Sequence, residues 1–234
     1  MRAAETLGCQ SSQAGFAVDA TPECGRLREV ADAHTDFADG ALEPDGAYDE
    51  VRFSGADLLG ADAGGSRFLD CLLDGADLSE AHLKDSRWTD CRFERVRGVG
   101  TELVEATLQD CEWLEPRLGA VAAYGSSWRR VTVRGGKVDY LNLRGARLRE
   151  VRFEDCVLLE PDFADATLTD VTFDGCVLTT AQWSKATLSK VDLSGARLVA
   201  PQGLTSLRGA TIGRVQLIEL ADAFADQLGI RVKD

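Results

Sequence analysis

The chain has 234 residues, and its 39 acidic side chains outnumber 26 basic ones to give a net charge of −13. No apolar stretch approaches the ~20 residues of a membrane helix, and residues 1–20 lack the basic start and apolar block of a secretory signal. These features exclude a helical membrane protein and favour a cytoplasmic one.

Residues 1–45 are predicted to form an acidic N-terminal segment. Residues 1–50 carry eleven acidic and three basic side chains, a net of −8, and the first 25 or so are small and polar, which is typical of mobile chain. Leu27–Phe37 is expected to form one short helix or strand that caps the start of the next region. Cys9 and Cys24 lie in this segment, and the sequence leaves their state open.

A five-residue repeat follows, and it is the main feature of the sequence. From Val51 to Leu198 the chain divides into thirty consecutive pentads, and the third residue of each is apolar in all but one, where Gly98 stands. The residue two before it is always small or of modest size. Because all four tryptophans fall on the third position, we expect both positions to point inward. Gly46-Ala47-Tyr48 already fits this phase, so the array is predicted to span residues 46–203.

A longer period gives the number of sides. Valines continue a row of cysteines at intervals of twenty residues, and aromatic residues share a second row with the same interval. Two inward residues in every five imply a short strand and a corner, where glycine recurs and a type II turn with positive φ is expected. Four pentads per turn predict an all-β, four-sided solenoid of about 7–8 coils, about 36 Å long at ~4.8 Å per coil.

The seven cysteines do not form the pattern of a disulfide framework. Five of them occupy the small inward position of the pentad, where Ala or Val stands elsewhere. These five are predicted to be reduced and buried, as small apolar side chains are: Cys71, Cys91, Cys111, Cys156 and Cys176.

Beyond Gly203 the period becomes helical. Residues 204–234 are predicted to form a C-terminal cap with one amphipathic helix over about residues 215–228. Its apolar face consists of Leu217, Leu220, Ala221, Phe224 and Leu228. This face could cover the last coil of a monomer or join two chains, and both alternatives stay open on the residues alone.

Ala56-Asp57-Leu58-Leu59-Gly60, nearly repeated at Ala76–Glu80, resembles the signature of the pentapeptide-repeat family. The resemblance covers Val51 to about Gly203 and implies a right-handed quadrilateral β-helix. Its bacterial branch of quinolone-resistance and toxin-immunity proteins, which the loop-free array resembles, mimics DNA and binds DNA gyrase or topoisomerase IV. The resemblance also implies a homodimer joined through the C-terminal helix, and on that basis we expect the dimer.

A DNA mimic needs rows of carboxylates where DNA has phosphates. Folded by twenty, the sequence places five acidic residues in one corner column, which Arg130 interrupts: Asp70, Asp90, Asp110, Glu150 and Asp170. The adjoining face adds Asp74, Glu94, Glu115, Glu154, Asp155 and Asp174. These residues are the candidate partner-binding edge. The alternative is a solvated face that Arg92, Arg95, Arg149 and Arg152 neutralise as surface ion pairs.

Other charges weaken the analogy with DNA. Residues 51–203 have a net charge of only −5, and a basic belt crosses the middle coils: Arg129, Arg130, Arg134, Lys137, Arg144, Arg147, Arg149 and Arg152. The belt could contact an anionic partner, but without exposed aromatic side chains among these cations we expect no direct binding of nucleic acid. A second acidic patch (Asp57, Asp62, Asp77 and Glu102) stands at pentad positions where Asp is common for structural reasons.

No arrangement of residues indicates an enzyme. His34 lies in the leading segment, His82 is predicted to face solvent, and the glycines stand singly at corners rather than in a phosphate-binding loop. We therefore predict no catalytic residue, metal site or cofactor. Two functional hypotheses remain: a DNA mimic that binds a type II topoisomerase, and a generic interaction scaffold without DNA mimicry.

Overall fold

The computed structural model describes residues 34–37 and 41–233. Cys9, Cys24, the mobility expected of the first residues and most of the predicted Leu27–Phe37 element lie outside the described residues. Within them, Thr35–Asp36 forms a two-residue strand.

The array folds as predicted into a four-sided solenoid of parallel strands, with about nine turns once the end strands are included. Within the repeat, paired residues lie twenty positions apart, as Phe93 pairs with Trp113 and Trp113 with Val133. The end strands pair at other intervals, Thr35 with Val51 and Val191 with Ala210. We number the sides in chain order. Face 1 is centred on Tyr48, face 2 on Phe53, face 3 on Leu58 and face 4 on Ala63, and each recurs every twenty residues.

Faces 1 and 2 belong to one 15-stranded sheet. The strands of face 1 are Ala47–Asp49, Arg67–Leu69, Arg87–Thr89, Thr107–Gln109 and Ser127–Arg129. Those of face 2 are Thr35–Asp36, Val51–Ser54, Leu72–Asp74, Arg92–Glu94, Glu112–Leu114, Thr132–Arg134 and Ala210–Thr211. Three longer strands continue from face 1 to face 2: Arg147–Glu154, Thr167–Asp174 and Thr187–Asp192.

Face 3 forms a second, six-stranded sheet. Its strands are Arg97–Val99, Arg117–Gly119, Lys137–Asp139, Val157–Leu159, Val177–Thr179 and Arg197–Val199. Face 4 is held by single bridges, from Asp62 with His82 to Gln182 with Gln202. Ala47–Asp49 pairs with Arg67–Leu69, so the ladder of face 1 includes the Gly46 pentad.

The core is a stack of equivalent inward side chains. Aromatic rings lie directly over one another along a face: Phe68 and Trp88 have centroids 3.7 Å apart, and Phe93 and Trp113 are 3.8 Å apart. The five array cysteines are buried and free, as predicted. For Cys71 and Cys91, hydrogen bonding to the neighbouring thiol and burial raise the thiol pKa above its usual range, which keeps both protonated.

Almost all corner residues have positive φ, including many that are not glycine, although the sequence predicted this conformation only where glycine recurs. Every fifth residue from Asp45 to Ala200, with the exception of Gly195, has φ between 47° and 78°, and 22 of these residues are not glycine. A left-handed conformation costs an ordinary residue about 1–2 kcal/mol, but Asp tolerates it through short polar contacts. The stacked backbone hydrogen bonds of neighbouring turns therefore impose the corner conformation on whatever residue stands there.

Both ends of the solenoid are covered within the described residues. At the start, the Phe37 ring packs on Phe53 with centroids 4.7 Å apart, and Leu42 is buried. At the end, a 3₁₀ helix (Leu204–Leu207) leads into the helices α1 (Arg214–Glu219) and α2 (Ala221–Gln227).

The single helix predicted over residues 215–228 is therefore two short helices, broken at Leu220. Gln216 holds α1 in place, because its Nε2 donates to the Leu193 and Ala196 carbonyls of the last turn at 2.6 and 2.5 Å. Leu220 is buried against the end of the core. The chain turns at Leu220 to satisfy both contacts, so neither described helix has the length that crossing a bilayer requires.

Candidate functional site

The predicted acidic column lies at the corner between faces 1 and 2, which we call the acidic corner. Its members are Asp70, Asp90, Asp110, Glu150 and Asp170, one per turn, each with φ between 48° and 58°. Arg130 and Lys190 occupy the same corner in the intervening and following turns. Since Asp is one of the few residue types that adopt this conformation readily, the column has a structural as well as a functional reason to be acidic.

A second acidic row runs along the far edge of face 2. Asp74, Glu94, Glu154 and Asp174 each end a face 2 strand. Glu115 and Asp155 instead stand at the next corner, between faces 2 and 3, with φ of 51° and 54°. The structure thus brings the candidate carboxylates to the two sides of face 2, four residues or about 13 Å apart at ~3.3 Å per residue.

Arginines neutralise about half of these carboxylates. Arg130 makes two hydrogen bonds to Asp110, and these hold the pKa of Asp110 below its usual range. The other pairs are Arg134–Glu154 at 2.8 Å, Arg149–Glu150 at 3.2 Å, Arg92–Glu94 at 2.7 Å and Arg95 with both Asp74 and Glu94. Such exposed pairs contribute only about 0–1 kcal/mol each to stability, but they cancel charge that a partner would otherwise meet.

Five candidate carboxylates reach no cation among the described residues: Asp90, Glu115, Asp155, Asp170 and Asp174. Asp70 is intermediate. His34 Nε2 lies 2.9 Å from its carbonyl oxygen and 3.9 Å from its carboxylate. The acidic surface that is open to a partner is therefore smaller than the sequence suggests.

The second acidic patch is structural in most of its members. Asp57, Asp62 and Asp77 each accept a hydrogen bond through Oδ1 from the backbone N–H two residues on, at 3.2, 3.1 and 3.0 Å. These bonds fix the turn that follows. Hydrogen bonds from Ser79, its hydroxyl first, hold the pKa of Asp77 below its usual range.

The remaining member, Glu102, pairs with His82, whose Nδ1 lies 2.9 Å from Glu102 Oε2. This contact raises the pKa of His82. Within residues 34–37 and 41–233 no group of His, Cys, Asp and Glu side chains is arranged to hold a metal ion.

The basic belt separates into two kinds of cation. Arg130, Arg134, Lys137, Arg144 and Arg149 each reach a carboxylate. Arg129, Arg147 and Arg152 are exposed and reach none among the described residues. Arg129 and Arg147 lie on face 1, and Arg152 lies on face 2. Arg67 and Arg87 stand on the same face, and sequence reasoning missed them. Their spacing was the signal that would have found them, because Arg67 lies twenty residues before Arg87 and Arg87 lies sixty residues before Arg147.

The apolar face of the C-terminal helices is partly buried against the solenoid and partly exposed to solvent. Leu220 is buried and Phe224 packs against the core, whereas Leu217, Ala221 and Leu228 are exposed. Sequence reasoning missed four further apolar side chains exposed there: Val215, Ile218, Ile230 and Val232.

Two family models match the chain. The model of pentapeptide repeats in eight copies matches residues 52–87 and 76–112, and that of a pentapeptide repeat region matches residues 139–200. These stretches together make up more than half of the sequence. A comparison with curated proteins found no match.

Several solved structures are similar to the chain. HetL, a pentapeptide repeat protein involved in heterocyst differentiation regulation from the cyanobacterium Nostoc sp. strain PCC 7120, is 21% identical with a TM-score of 0.38, over 74% of this chain and 89% of HetL. Full-length QnrB1, a plasmid-mediated fluoroquinolone resistance protein, is 20% identical with a TM-score of 0.28, over 79% of this chain and 100% of QnrB1.

Proposed function

Since the chain belongs to the pentapeptide-repeat proteins, we propose that it is a cytoplasmic, non-enzymatic protein that binds a type II topoisomerase in place of DNA. DNA gyrase and topoisomerase IV are the candidate partners, as the resemblance noted in the sequence implies. The contact surface is the acidic corner with the second acidic row of face 2. Asp90, Asp170 and Asp174 are its principal residues, because no described cation neutralises them.

The observation that carries the proposal is the regular spacing of carboxylates along the acidic corner. Successive turns place them ~4.8 Å apart, about 1.4 times the ~3.4 Å between phosphates along the axis of one DNA strand. Arg130 interrupts the row between Asp110 and Glu150. The two acidic rows are about 13 Å apart across face 2, comparable with the ~12 Å width of the major groove of B-DNA. A protein surface that binds duplex DNA through cations could therefore accept this edge.

Reversing the charge of two unpaired corner residues tests the proposal. We expect the purified protein to inhibit gyrase supercoiling or to protect gyrase from a quinolone, and Asp90→Arg/Asp170→Arg to weaken that effect by about tenfold or more, because it replaces attraction by repulsion at two contacts. Supercoiling assays over a range of protein concentrations, with and without the drug, measure it.

A matched control is Glu105→Arg/Glu160→Arg. Both residues are exposed corner residues with positive φ that lie away from face 2 and reach no described cation, so the net charge changes equally. We expect this control to retain the effect. If the wild-type protein has no effect on the topoisomerases at about 50 μM, the proposed function is wrong.

The second candidate function is an interaction scaffold without DNA mimicry. The ion pairs favour it, since Asp74, Glu94, Asp110, Glu150 and Glu154 each lie against an arginine. In that case the unpaired corner carboxylates are present because Asp readily adopts the corner conformation, and the other carboxylates are present because they form ion pairs with arginines. Wild-type protein without effect on either topoisomerase, together with an intact fold, is the result expected of this function.

We also propose that two chains associate through the exposed apolar side chains of the C-terminal region. Leu217, Ile218 and Leu228 are 52%, 71% and 73% exposed, and Ile230 and Val232 lie close in sequence. Several exposed apolar side chains in one short stretch of chain are typical of association sites in soluble proteins. Of the predicted helix face, Leu217, Ala221 and Leu228 would contact the second chain. Leu220 and Phe224 pack against the core of their own chain instead.

Light scattering in solution tests the association. We expect twice the mass of one chain for the wild type and the mass of one chain for Leu217→Asp/Ile218→Asp, because two buried charges cost far more than a dimer contact contributes. Val99→Asp/Val157→Asp on face 3, at apolar side chains that are 63% and 41% exposed, is the control and should stay dimeric. A wild-type protein with the mass of one chain at about 100 μM would contradict the dimer.

A further inference from the structure

Face 1 combines exposed arginines with almost no carboxylate of its own. Its outward positions hold five arginines and, within the described residues, Asp49 as the single acidic residue. The arginines are Arg67, Arg87, Arg129, Arg147 and Arg149, and we call this surface the arginine face. Thr89 and Thr107 lie between these arginines, and three more threonines follow Arg149 on the same face: Thr167, Thr169 and Thr187.

The stacking of the turns brings these cations close together. Arg67 pairs in register with Arg87, and Arg129 with Arg149, so their backbones are ~4.8 Å apart. Like charges at this distance repel. Only Arg149 is relieved by a carboxylate, Glu150 at 3.2 Å, while Arg67, Arg87, Arg129 and Arg147 reach none among the described residues.

On the other faces of the turn that contains Arg129, the cations are paired with carboxylates. Around the turn from Arg129, Arg134 on face 2 pairs with Glu154 at 2.8 Å. Lys137 on face 3 pairs with Asp139 at 2.7 Å, and Arg144 on face 4 with Asp162 at 2.8 Å. The unneutralised charge of this turn is therefore concentrated on the arginine face, which favours an anionic partner there.

The width of the face limits what that partner is. Each strand here is three residues across, about 10 Å, and carboxylates line the corners on both sides. The acidic corner holds Asp90 and Asp110, and the corner between faces 4 and 1 holds Asp85, Glu105 and Asp165. A DNA duplex is wider than the face and would bring its phosphates against these carboxylates, whereas one extended segment fits between them.

We propose that the arginine face is a docking surface for an acidic, extended protein segment. Carboxylates of the segment pair with Arg67, Arg87, Arg129 and Arg147, and threonine hydroxyls donate further hydrogen bonds to them. The segment runs along the solenoid axis. From Arg67 to Arg147 there are four turns, or about 19 Å, which an extended chain spans in about six residues. The surface is separate from the acidic corner and the second acidic row, and it does not depend on the proposed topoisomerase binding.

Fluorescence anisotropy with a labelled oligoglutamate peptide of about ten residues tests the proposal. At ~0.15 M salt the Debye length is ~8 Å, so the peptide senses the nearest charges rather than the net negative charge of the chain. We expect the peptide to bind the wild-type protein, an oligoglutamine peptide of the same length not to bind, and Arg129→Glu/Arg147→Glu to weaken binding by about tenfold or more.

The matched control is Arg117→Glu/Arg197→Glu on face 3, which changes the net charge by the same amount at two exposed arginines without a described carboxylate. It should weaken binding by less than about twofold. If the double charge reversal unfolds the protein by circular dichroism, Arg129→Gln/Arg147→Gln removes the charges without adding new ones and should still weaken binding.

Three results would overturn the proposal. The peptide could fail to bind, or the face 3 control Arg117→Glu/Arg197→Glu could weaken binding as much as Arg129→Glu/Arg147→Glu, which would indicate general attraction to any cation. A labelled DNA duplex could bind as tightly as the peptide and depend on Arg129 and Arg147, which would make the face a nucleic-acid surface instead.

Discussion

Replacing Trp88 by alanine is expected to lower the free energy of unfolding by about 3–5 kcal/mol. Trp88 is 1% exposed and stacks on Phe68 at 3.7 Å, and its Nε1 donates to the Ser86 hydroxyl at 2.8 Å. In a solenoid each turn is held by its two neighbours alone, so the rest of the core cannot move in to fill the cavity. Chemical denaturation followed by circular dichroism measures the loss.

Tyr140→Ala is the matched control for this substitution. Tyr140 is also a large aromatic residue of the array, but it stands at a corner and is 52% exposed. We expect its removal to change the free energy of unfolding by no more than about 0.5 kcal/mol. Equal losses in the two variants would contradict the description of Trp88 as part of a close-packed column.

Leu220→Asp is expected to release the C-terminal cap from the last turn. Leu220 is 5% exposed at the junction of α1 and α2, and an aspartate there would leave a charge buried without a partner. A change of this kind costs about 3–5 kcal/mol, more than two short helices gain by docking. We expect limited proteolysis to cleave between residues 204 and 233 in the variant and to spare this region in the wild type.

Leu217→Asp separates capping from association. It is the same substitution three residues earlier on the neighbouring helix, at a side chain that is 52% exposed. We expect the cap to remain resistant to protease while the proposed dimer weakens. Cleavage of the Leu217→Asp variant at the rate of Leu220→Asp would show that the two leucines do not differ in burial as described.

The repeat made most of the fold predictable because a single pattern determines several levels of structure. The inward pair of each pentad places Cys91 and Phe93 in the core, and the interval of twenty residues places Trp113 over Phe93. The acidic corner could be found in the same way, since Asp70 and Asp90 occupy equivalent positions in neighbouring turns. These placements require only that every turn has the same backbone conformation. Thirty consecutive pentads with the same pattern support that assumption.

The break at Leu220 and the charge state of the acidic edge could not be predicted in this way. The break depends on Gln216 reaching two carbonyls of the last turn, a contact outside the repeat. The pairing of Asp110 with Arg130, and the absence of a described partner for Asp90, depend on the reach of long side chains rather than on period. Charge counts along the sequence therefore overestimated the open acidic surface.

The twenty-residue register also bears on how proteins of this kind change length. Every inward column repeats at that interval, and each turn contacts only the turns before and after it. A duplication or loss of twenty residues would add or remove a whole turn while all other residues kept their columns, their corners and their ladder partners. A gain or loss of five would rotate everything downstream by one face, so evolution can lengthen this molecule easily only in steps of four pentads.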